Sequence, residues 1–508
     1  EDEERLLLAR DHLGVKPLYY LDSGTRMLFG SEMRAILSNP EVRTELDPDG
    51  LRLFLHFGYV PAPHTLVEGL KKLPPGHALV SDRSGSRLRR YWVPTTEIDT
   101  SITIDEAVEV CHELTTAAVE RQMVSDVPVG ILLSGGVDSA MILAAASDRT
   151  NQQLSTFTVG FGDDFAMDEA RQAAGTAAMF NTDHHEIRIK PRSFPEVFEQ
   201  SLWHMEEPVL SQSTFAFQML TAEVSKHVKV VLTGQGADEP WAGYHRYIGE
   251  RYGAKARWLF GSTAASVGAN HVPGGARLRR ATASLGEPDP VERFAAIHQV
   301  FSPEQINANA HGALTRARVT PQDAIRYWQE PVAHLDHFSQ LLHVDSRMSL
   351  ADDLLFYGDK LSMSNGVEAR VPFLDRELFD FVESLPPSFK LRMGKGKYVH
   401  KLVAEKMLPK ELVYRTKRGF DTPVDEWFAA DFAPLLHENV LDPESLCSSI
   451  LDRGLLRSLI EEHVSGRRNH RRQLTALLSL ELSARQILTR PTTPHFSSAN
   501  QEITEVAV

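Results

Sequence analysis

The stretch Val127-Pro-Val-Gly-Ile-Leu-Leu133, continued by Ser134-Gly-Gly-Val-Asp-Ser139 and Ala140-Met-Ile-Leu-Ala-Ala-Ala146, reads as buried strand, glycine turn and helix. That order presents backbone N–H groups to an anion at a helix N-terminus. Gly135 and Gly136 let the backbone approach a phosphate with no Cβ in the way, and Ser134 and Ser139 add hydroxyl donors. Asp138 brings a carboxylate, which sits badly beside phosphate unless a cation lies between them. The arrangement suits a nucleotide whose pyrophosphate departs while AMP stays on the substrate. The GxxxxGK[ST] loop of kinases and GTPases is a different device, because the lysine is missing here. A bare SGG would be read as an ordinary glycine turn; the six-residue string between strand and helix favours the functional reading.

Outward from this point the pattern alternates. Strands are predicted at 128–133, 154–161, 184–189 and 228–233, and helices at 139–148, 167–180, 194–205 and 213–227. Such alternation implies a doubly wound parallel sheet, with ligands beyond the carboxyl ends of its strands. Thr103-Ile-Asp-Glu106 reads as a capping box opening a helix to about Arg121. Before it, residues 1–93 read as short strands at Leu6–Ala9, 17–21, 26–29 and 77–80, with a helix at 31–37 and no evident partner strands. The stretch 261–290, rich in Gly, Ala, Ser and Arg, reads as a loop. From about 291 the pattern is mostly helical, strongly so at 397–408 and 471–488. The expected division is 1–93, 94–490 and a disordered polar tail over 491–508.

A second glycine-relieved loop, Thr233-Gly-Gln-Gly-Ala-Asp-Glu239, follows the buried run Lys229-Val-Val-Leu232. It should share a rim with the first loop, so Asp138 and Asp238 could share Mg²⁺ bridging nucleotide phosphates. Alone, the motif would be a solvated acidic turn. Glu368 and Arg370 mix charge with apolar residues and read as a buried ion-pair network with a structural role; Asp359 and Lys360 are candidates to face the nucleotide. Lys417, beside Gly419, is either ordinary surface or the mobile cation needed where charge builds on phosphorus and pyrophosphate.

The 508 residues carry a formal net charge of -14, 42% hydrophobic and 24% charged residues, an ordinary globular balance. The negative charge argues against a nucleic-acid partner. No run reaches the roughly 18 apolar residues of a membrane span. Cys111 and Cys447 form neither a metal spacing nor a disulfide framework, which makes a reducing cytoplasm the simplest location.

The strings SGGVDS, LTGQGADEPWAGY, YGDKLSMSNGVEARVPFLD and YRTKRGF, in this order over roughly 127–425, resemble the glutamine-dependent asparagine synthetases. Ala9-Arg-Asp-His-Leu-Gly-Val-Lys-Pro-Leu18 and Gly30-Ser-Glu-Met-Arg-Ala35 resemble the closing part of that family's glutaminase domain. The resemblance implies an Ntn hydrolase-like β-rich segment ahead of an ATP pyrophosphatase domain with a helical C-terminal part. It implies that aspartate is adenylated by ATP to β-aspartyl-AMP, releasing pyrophosphate, and is then aminated by ammonia derived from glutamine. It assigns Ser134, Gly135, Gly136, Asp138 and Ser139 to the pyrophosphate and Val159 and Gly160 to the adenine or ribose. Gly234 belongs to the same nucleotide site. Asp138 and Asp238 fall to Mg²⁺, and Lys417 to the adenylation transition state. A homodimer is implied by resemblance only.

Two departures stand out. The family's nucleophilic cysteine lies at the mature N-terminus, whereas this chain starts at Glu1, so a fragment using free ammonia is expected. A cysteine-directed glutamine analogue should then leave it unlabelled. Gln235 stands where many members carry a glutamate that is a candidate base, and an amide accepts no proton at neutral pH. Either ammonia needs no base here or the substrate differs. The alternative is an amide or β-lactam synthetase acting on another carboxylate. A tRNA-thiolating enzyme would want a basic groove and catalytic cysteines. A non-catalytic binding protein would not need SGGVDS, Asp238 and Lys417 together.

Overall fold

The computed structural model describes residues 5–93, 97–161, 169–189, 194–211, 213–260, 287–415, 433–488 and 504–507, with backbone alone at 194–195, 253–260 and 504–507. The front segment carries β1 (Leu6–Ala9), β2 (Tyr19–Asp22), β3 (Met27–Gly30), β4 (Leu70–Lys72), β5 (His77–Asp82) and β6 (Gly85–Arg90). They form two antiparallel three-stranded sheets, ordered β1-β5-β6 and β3-β2-β4. The partners missing from the sequence reading are β4 and β6. Three residues of β4 are too few to show a period, and the Gly-Ser-Arg-Leu-Arg-Arg of β6 lacks alternating apolar residues because its side chains are largely exposed. The helix Pro48–Phe57, also unread, is capped by Asp47, which accepts from Asp49 N and Gly50 N.

The parallel sheet contains β7 (Val129–Leu132), β8 (Ser155–Gly160), β9 (Asp183–Arg188), β10 (Val230–Leu232) and β11 (Glu368–Arg370). The helices Val137–Ser147, Ala170–Met179, Phe194–Met205 and Ser213–Val224 connect them, close to the predicted spans. Strand order is β11-β10-β7-β8-β9, all parallel. The chain moves outward from β7 to β9, then returns to lay β10 on the other side of β7. The sheet therefore has its switch point between β7 and β10, and in sheets of this kind ligands bind outside the strands' carboxyl ends at that point. Adjacent side chains serve opposite faces. Leu132 and Val231 pack with Phe198 and Phe215 on one side, while Ile131 and Leu232 pack with Met141 and Leu143 on the other. That two-sided burial is why these strands read as continuous apolar runs.

The predicted capping box is present, with Glu106 N donating to Thr103 Oγ1 and Thr103 N to Glu106 Oε2 at 2.9 Å, opening the helix Ile104–Met123. Glu368 and Arg370 correct an expectation. They form β11, and the two-residue period puts their side chains on one face, 3.2 Å apart but 41% and 21% exposed, so the pair is not buried. The C-terminal part is helical, as predicted, with β12 (Leu391–Arg392) and β13 (Lys395–Gly396) forming a small hairpin. Within the tail, β14 (Thr504–Ala507) pairs antiparallel with β9 at the sheet edge. An edge strand's unpaired N–H and C=O groups are the physical reason a polar segment can add there. Residues 491–503, and 261–286 within the predicted loop, lie outside the described residues. Among the described residues no helix is long and apolar enough to cross a membrane.

The front segment is tied to the sheet domain by buried charge. Lys72 Nζ lies 2.6 Å from Glu207 Oε2, both side chains 2% exposed. Lys360 pairs with Glu206, which also accepts from Met33 N and Arg34 N. Lys16 meets Asp359 at 2.5 Å, and Ala62 N donates to Asp352 at 2.7 Å. Asp359 and Lys360 thus serve this junction, because opposite charges from the front segment and from Glu206 reach them first.

Candidate active site

The first glycine loop leaves the carboxyl end of β7 and opens the helix Val137–Ser147, whose N-cap Gly136 offers no side-chain cap. The helix therefore begins without a side-chain cap, with the positive end of its dipole at the carboxyl end of β7. The hydroxyls fold the loop onto itself: Ser134 N donates to Ser139 Oγ at 3.1 Å, Gly136 N to Ser134 Oγ at 3.1 Å, and the two hydroxyls lie 3.0 Å apart. Gly135 N donates to Glu169 Oε2 at 3.3 Å. A Cβ on Gly135 would fall 2.6 Å from Gln172 Oε1, which can swing aside, and 3.1 and 3.2 Å from the Cβ atoms of Gln172 and Glu169, so the packing there is tight.

The second loop leaves the neighbouring strand β10 and lies directly on the first. A Cβ on Gly234 would stand 3.0 Å from Ser139 N and 3.2 Å from Asp138 Cβ. This contact brings Asp138 and Asp238 to one place, as the sequence reading expected. A third group, missed in the sequence, completes the cluster. Lys397 Nζ sits between them, 2.6 Å from Asp138 Oδ2 and 2.9 Å from Asp238 Oδ1. Lys397 holds a left-handed backbone at φ +57° and caps the helix Tyr398–Ala404. Its N–H donates to Trp241 O at 2.9 Å, which ties it to the second loop. One turn later His400 Nε2 lies 2.9 Å from Asp138 Oδ1.

Burial works against the Lys397 ammonium, but the two aspartates outweigh it and hold its pKa above the usual value. Burial pulls the His400 imidazole down, against Asp138. A carboxylate only accepts, so Nε2 of the neutral ring carries the proton. Asp138 and Asp238 flank one ammonium. Their side chains remain 17% and 19% exposed at the rim. Hard oxygen donors of this kind, part-exposed, fit a divalent cation shared with phosphate oxygens. The signal that could have revealed the other two was Lys397-Tyr-Val-His400, two polar residues one turn apart at the start of a helix otherwise read only for its periodicity.

The other predicted residues separate. Gly160, at the carboxyl end of β8, accepts from Ile189 N at 3.0 Å, and Val159 is 5% exposed within the core, so its side chain serves packing. Gln235 Nε2 stands 3.5 Å from Tyr357 Oη, with its Oε1 against Gly358. Lys417 lies outside the described residues.

Beside the cluster, Glu239 is fully buried. Tyr244 Oη donates to its Oε1 at 2.7 Å, and its Oε2 has no hydrogen-bond partner. Burial, helped by Asp238, pushes its carboxyl up to about 7. A carboxyl raised on folding stabilises fully below its unfolded value and loses that contribution as pH rises through about 7. Glu239→Gln should therefore remove part of the stability lost between pH 5 and pH 8, on the order of 2–3 kcal/mol. Urea denaturation of both proteins at the two pH values checks this, and equal losses would rule it out.

Both cysteines are buried, and burial raises both thiols. A thiolate reagent or a cysteine-directed glutamine analogue should leave the folded chain unlabelled at pH 8, by mass spectrometry.

A family model described as asparagine synthase matches residues 111–485, and one described as glutamine amidotransferase domain matches residues 1–92. A glutamine-amidotransferase segment ahead of a parallel-sheet synthetase domain defines a glutamine-dependent carbon–nitrogen ligase. The chain belongs to the asparagine synthase family. It is 30% identical to a putative asparagine synthetase (glutamine-hydrolyzing) of Mycobacterium tuberculosis strain H37Rv, over 93% of this chain and 73% of the relative. It is 28% identical to asparagine synthetase (glutamine-hydrolyzing) 1 of Bacillus subtilis strain 168, over 92% and 73%. Amidase chyE of Penicillium rubens is 25% identical over 84% of this chain and 69% of its own length.

Proposed function

We propose that the chain makes asparagine from aspartate and ATP through an acyl-adenylate. The observation that carries this reading is the convergence of Asp138, Lys397 and Asp238 beside the uncapped helix end at the sheet's switch point. The N-terminal end of the helix Val137–Ser147, with Ser134 and Ser139, receives the departing pyrophosphate. Gly135 and Gly234 let the two loops close on it, and Gly160 and the backbone at Val159 border the nucleoside. A side-chain carboxylate oxygen of aspartate attacks the α-phosphorus, the bond to the β-phosphate oxygen breaks, and pyrophosphate leaves. Ammonia then forms the C–N bond at the acyl carbon, AMP departs with the acyl oxygen, and the excess proton goes to solvent. Asp138 and Asp238 would hold Mg²⁺, which neutralises phosphate charge when bound. Lys417 is assigned to charge developing on the α-phosphate, by resemblance of its motif. Ammonium serves as the nitrogen source in the assay.

The test is pyrophosphate release from Mg·ATP with ammonium, with and without aspartate, followed by identification of the product. Aspartate-dependent release with asparagine formed supports the reading. A folded, ATP-binding chain indifferent to aspartate overturns it in favour of a second reading, amidation or internal lactam closure of another carboxylate. Gln235 favours that second reading, since its amide against Tyr357 supplies no proton acceptor where a base would stand. If ammonia needs no base, Gln235→Glu should change ammonia-dependent turnover less than about 3-fold; a rise of 10-fold or more would show that a base is wanted.

A further inference from the structure

We propose that His400 is a positioning residue that holds the Asp138 carboxylate clear of the phosphate-facing helix end, an inference that rests on the nucleotide reading above. Asp138 is the second residue of the helix Val137–Ser147, and Gly136 leaves that helix without a side-chain cap. A carboxylate in a first turn is drawn to the free N–H groups and the positive end of the dipole. Folded back onto them, it would compete with a phosphate for the same donors. The structure places one of its oxygens on each of two donors. Lys397 takes Oδ2 at 2.6 Å and His400 takes Oδ1 at 2.9 Å. Both donors rise from the first turn of one helix, so they fix the plane of the carboxylate as well as its place.

His400 is built for this and for nothing else visible in the fold. Its side chain is 1% exposed. Its ring is held between Trp241 and Phe373, each with ring centroids 5.2 Å away, one from the second glycine loop and one from the turn after β11. Second-layer hydrogen bonds of this kind typically change metal affinity 10- to 100-fold when removed.

The experiment measures binding of the α,β-methylene analogue of ATP with Mg²⁺ by titration calorimetry, with AMP as the comparison ligand. His400→Leu is expected to weaken the Mg-nucleotide about 10-fold while leaving AMP, which has no pyrophosphate, within about 2-fold. His400→Gln, which returns an N–H donor at similar reach, should recover affinity to within about 3-fold of the native chain. In an Asp138→Asn background the Leu change should have little further effect, because its target is gone. Unchanged affinity in His400→Leu overturns the proposal. So does equal weakness in the Leu and Gln variants, or a parallel loss for AMP, since either would mark His400 as packing alone. Should the Leu variant not fold, His400→Met carries the same comparison. A native chain that binds AMP but not the Mg-nucleotide would sink the nucleotide reading itself, a result distinct from a native chain that binds both and is indifferent to His400.

Discussion

Asp238→Asn should lower aspartate-dependent pyrophosphate release by about 100- to 1,000-fold and weaken its response to Mg²⁺. The substitution keeps shape and removes one of the two carboxylates that meet at Lys397. Its charge effect is larger than its packing effect, because the asparagine amide can still sit beside Gly243, whose Cα faces Asp238 so closely that a Cβ would fall 1.9 Å from Oδ1. The loss has two sources that act in the same direction. A hard oxygen donor for the cation is gone, and Lys397 is left with Asp138 alone, so that pair approaches neutrality. Steady-state pyrophosphate release at several Mg²⁺ concentrations measures both. Turnover and Mg²⁺ response within 3-fold of the native chain would remove Asp238 from the proposed site.

Lys72→Met should cost about 3–5 kcal/mol of stability, the effect of stripping a buried carboxylate of its cation. Lys72 comes from β4 in the front segment and Glu207 from the connection that follows the helix Phe194–Met205, and both side chains are 2% exposed. Burial pushes the Glu207 carboxyl up, and Lys72 is the main group opposing that push. Without the ammonium, Glu207 must take up a proton or open the junction to water. Lys72 Nζ also donates to Val60 O and stands 4.9 Å from the centre of the Phe356 ring, so little solvent is at hand to replace it. The double variant Lys72→Met with Glu207→Leu should recover most of the loss, since a matched apolar pair is often no worse than a buried ion pair. Urea denaturation of the three variants gives the coupling. A single-variant loss under about 1 kcal/mol would class the pair with weak surface bridges.

These two sites differ in how much of them could be read in advance. The β7 and β10 loops announced themselves, because a buried strand followed by glycines and a helix start is a local pattern with a local cause. Asp138 and Asp238 are singled out for the same reason, each standing in its own loop. Lys360 and Asp359 were misplaced toward the nucleotide because charge in a short motif says nothing about its partner. Their partners, Glu206 and Lys16, come from distant segments. Glu368 and Arg370 were read as buried because they sit among apolar residues, but a strand at the edge of the described parallel pairs turns one face outward. Strand β4, with three residues, and β6, with mostly exposed side chains, carried too little periodicity to be seen.

The sequence by itself determined the alternation of strand and helix, the parallel two-faced sheet, the two glycine loops and the family to which they belong. Each of these follows from residue order within a window of some ten to twenty positions, the range over which hydrophobic period and turn chemistry act. Only the tertiary structure decided what stands between the two aspartates. Lys397 and His400 lie 259 and 262 residues beyond Asp138 in the chain. They reach it because the second loop, packed through Gly234 on the first, also carries Trp241, whose carbonyl accepts the Lys397 N–H. A contact made by packing three separate segments together has no local pattern in the sequence. It is set by the burial and charge of the whole fold, which bring an ammonium to the one place where two carboxylates leave room for it.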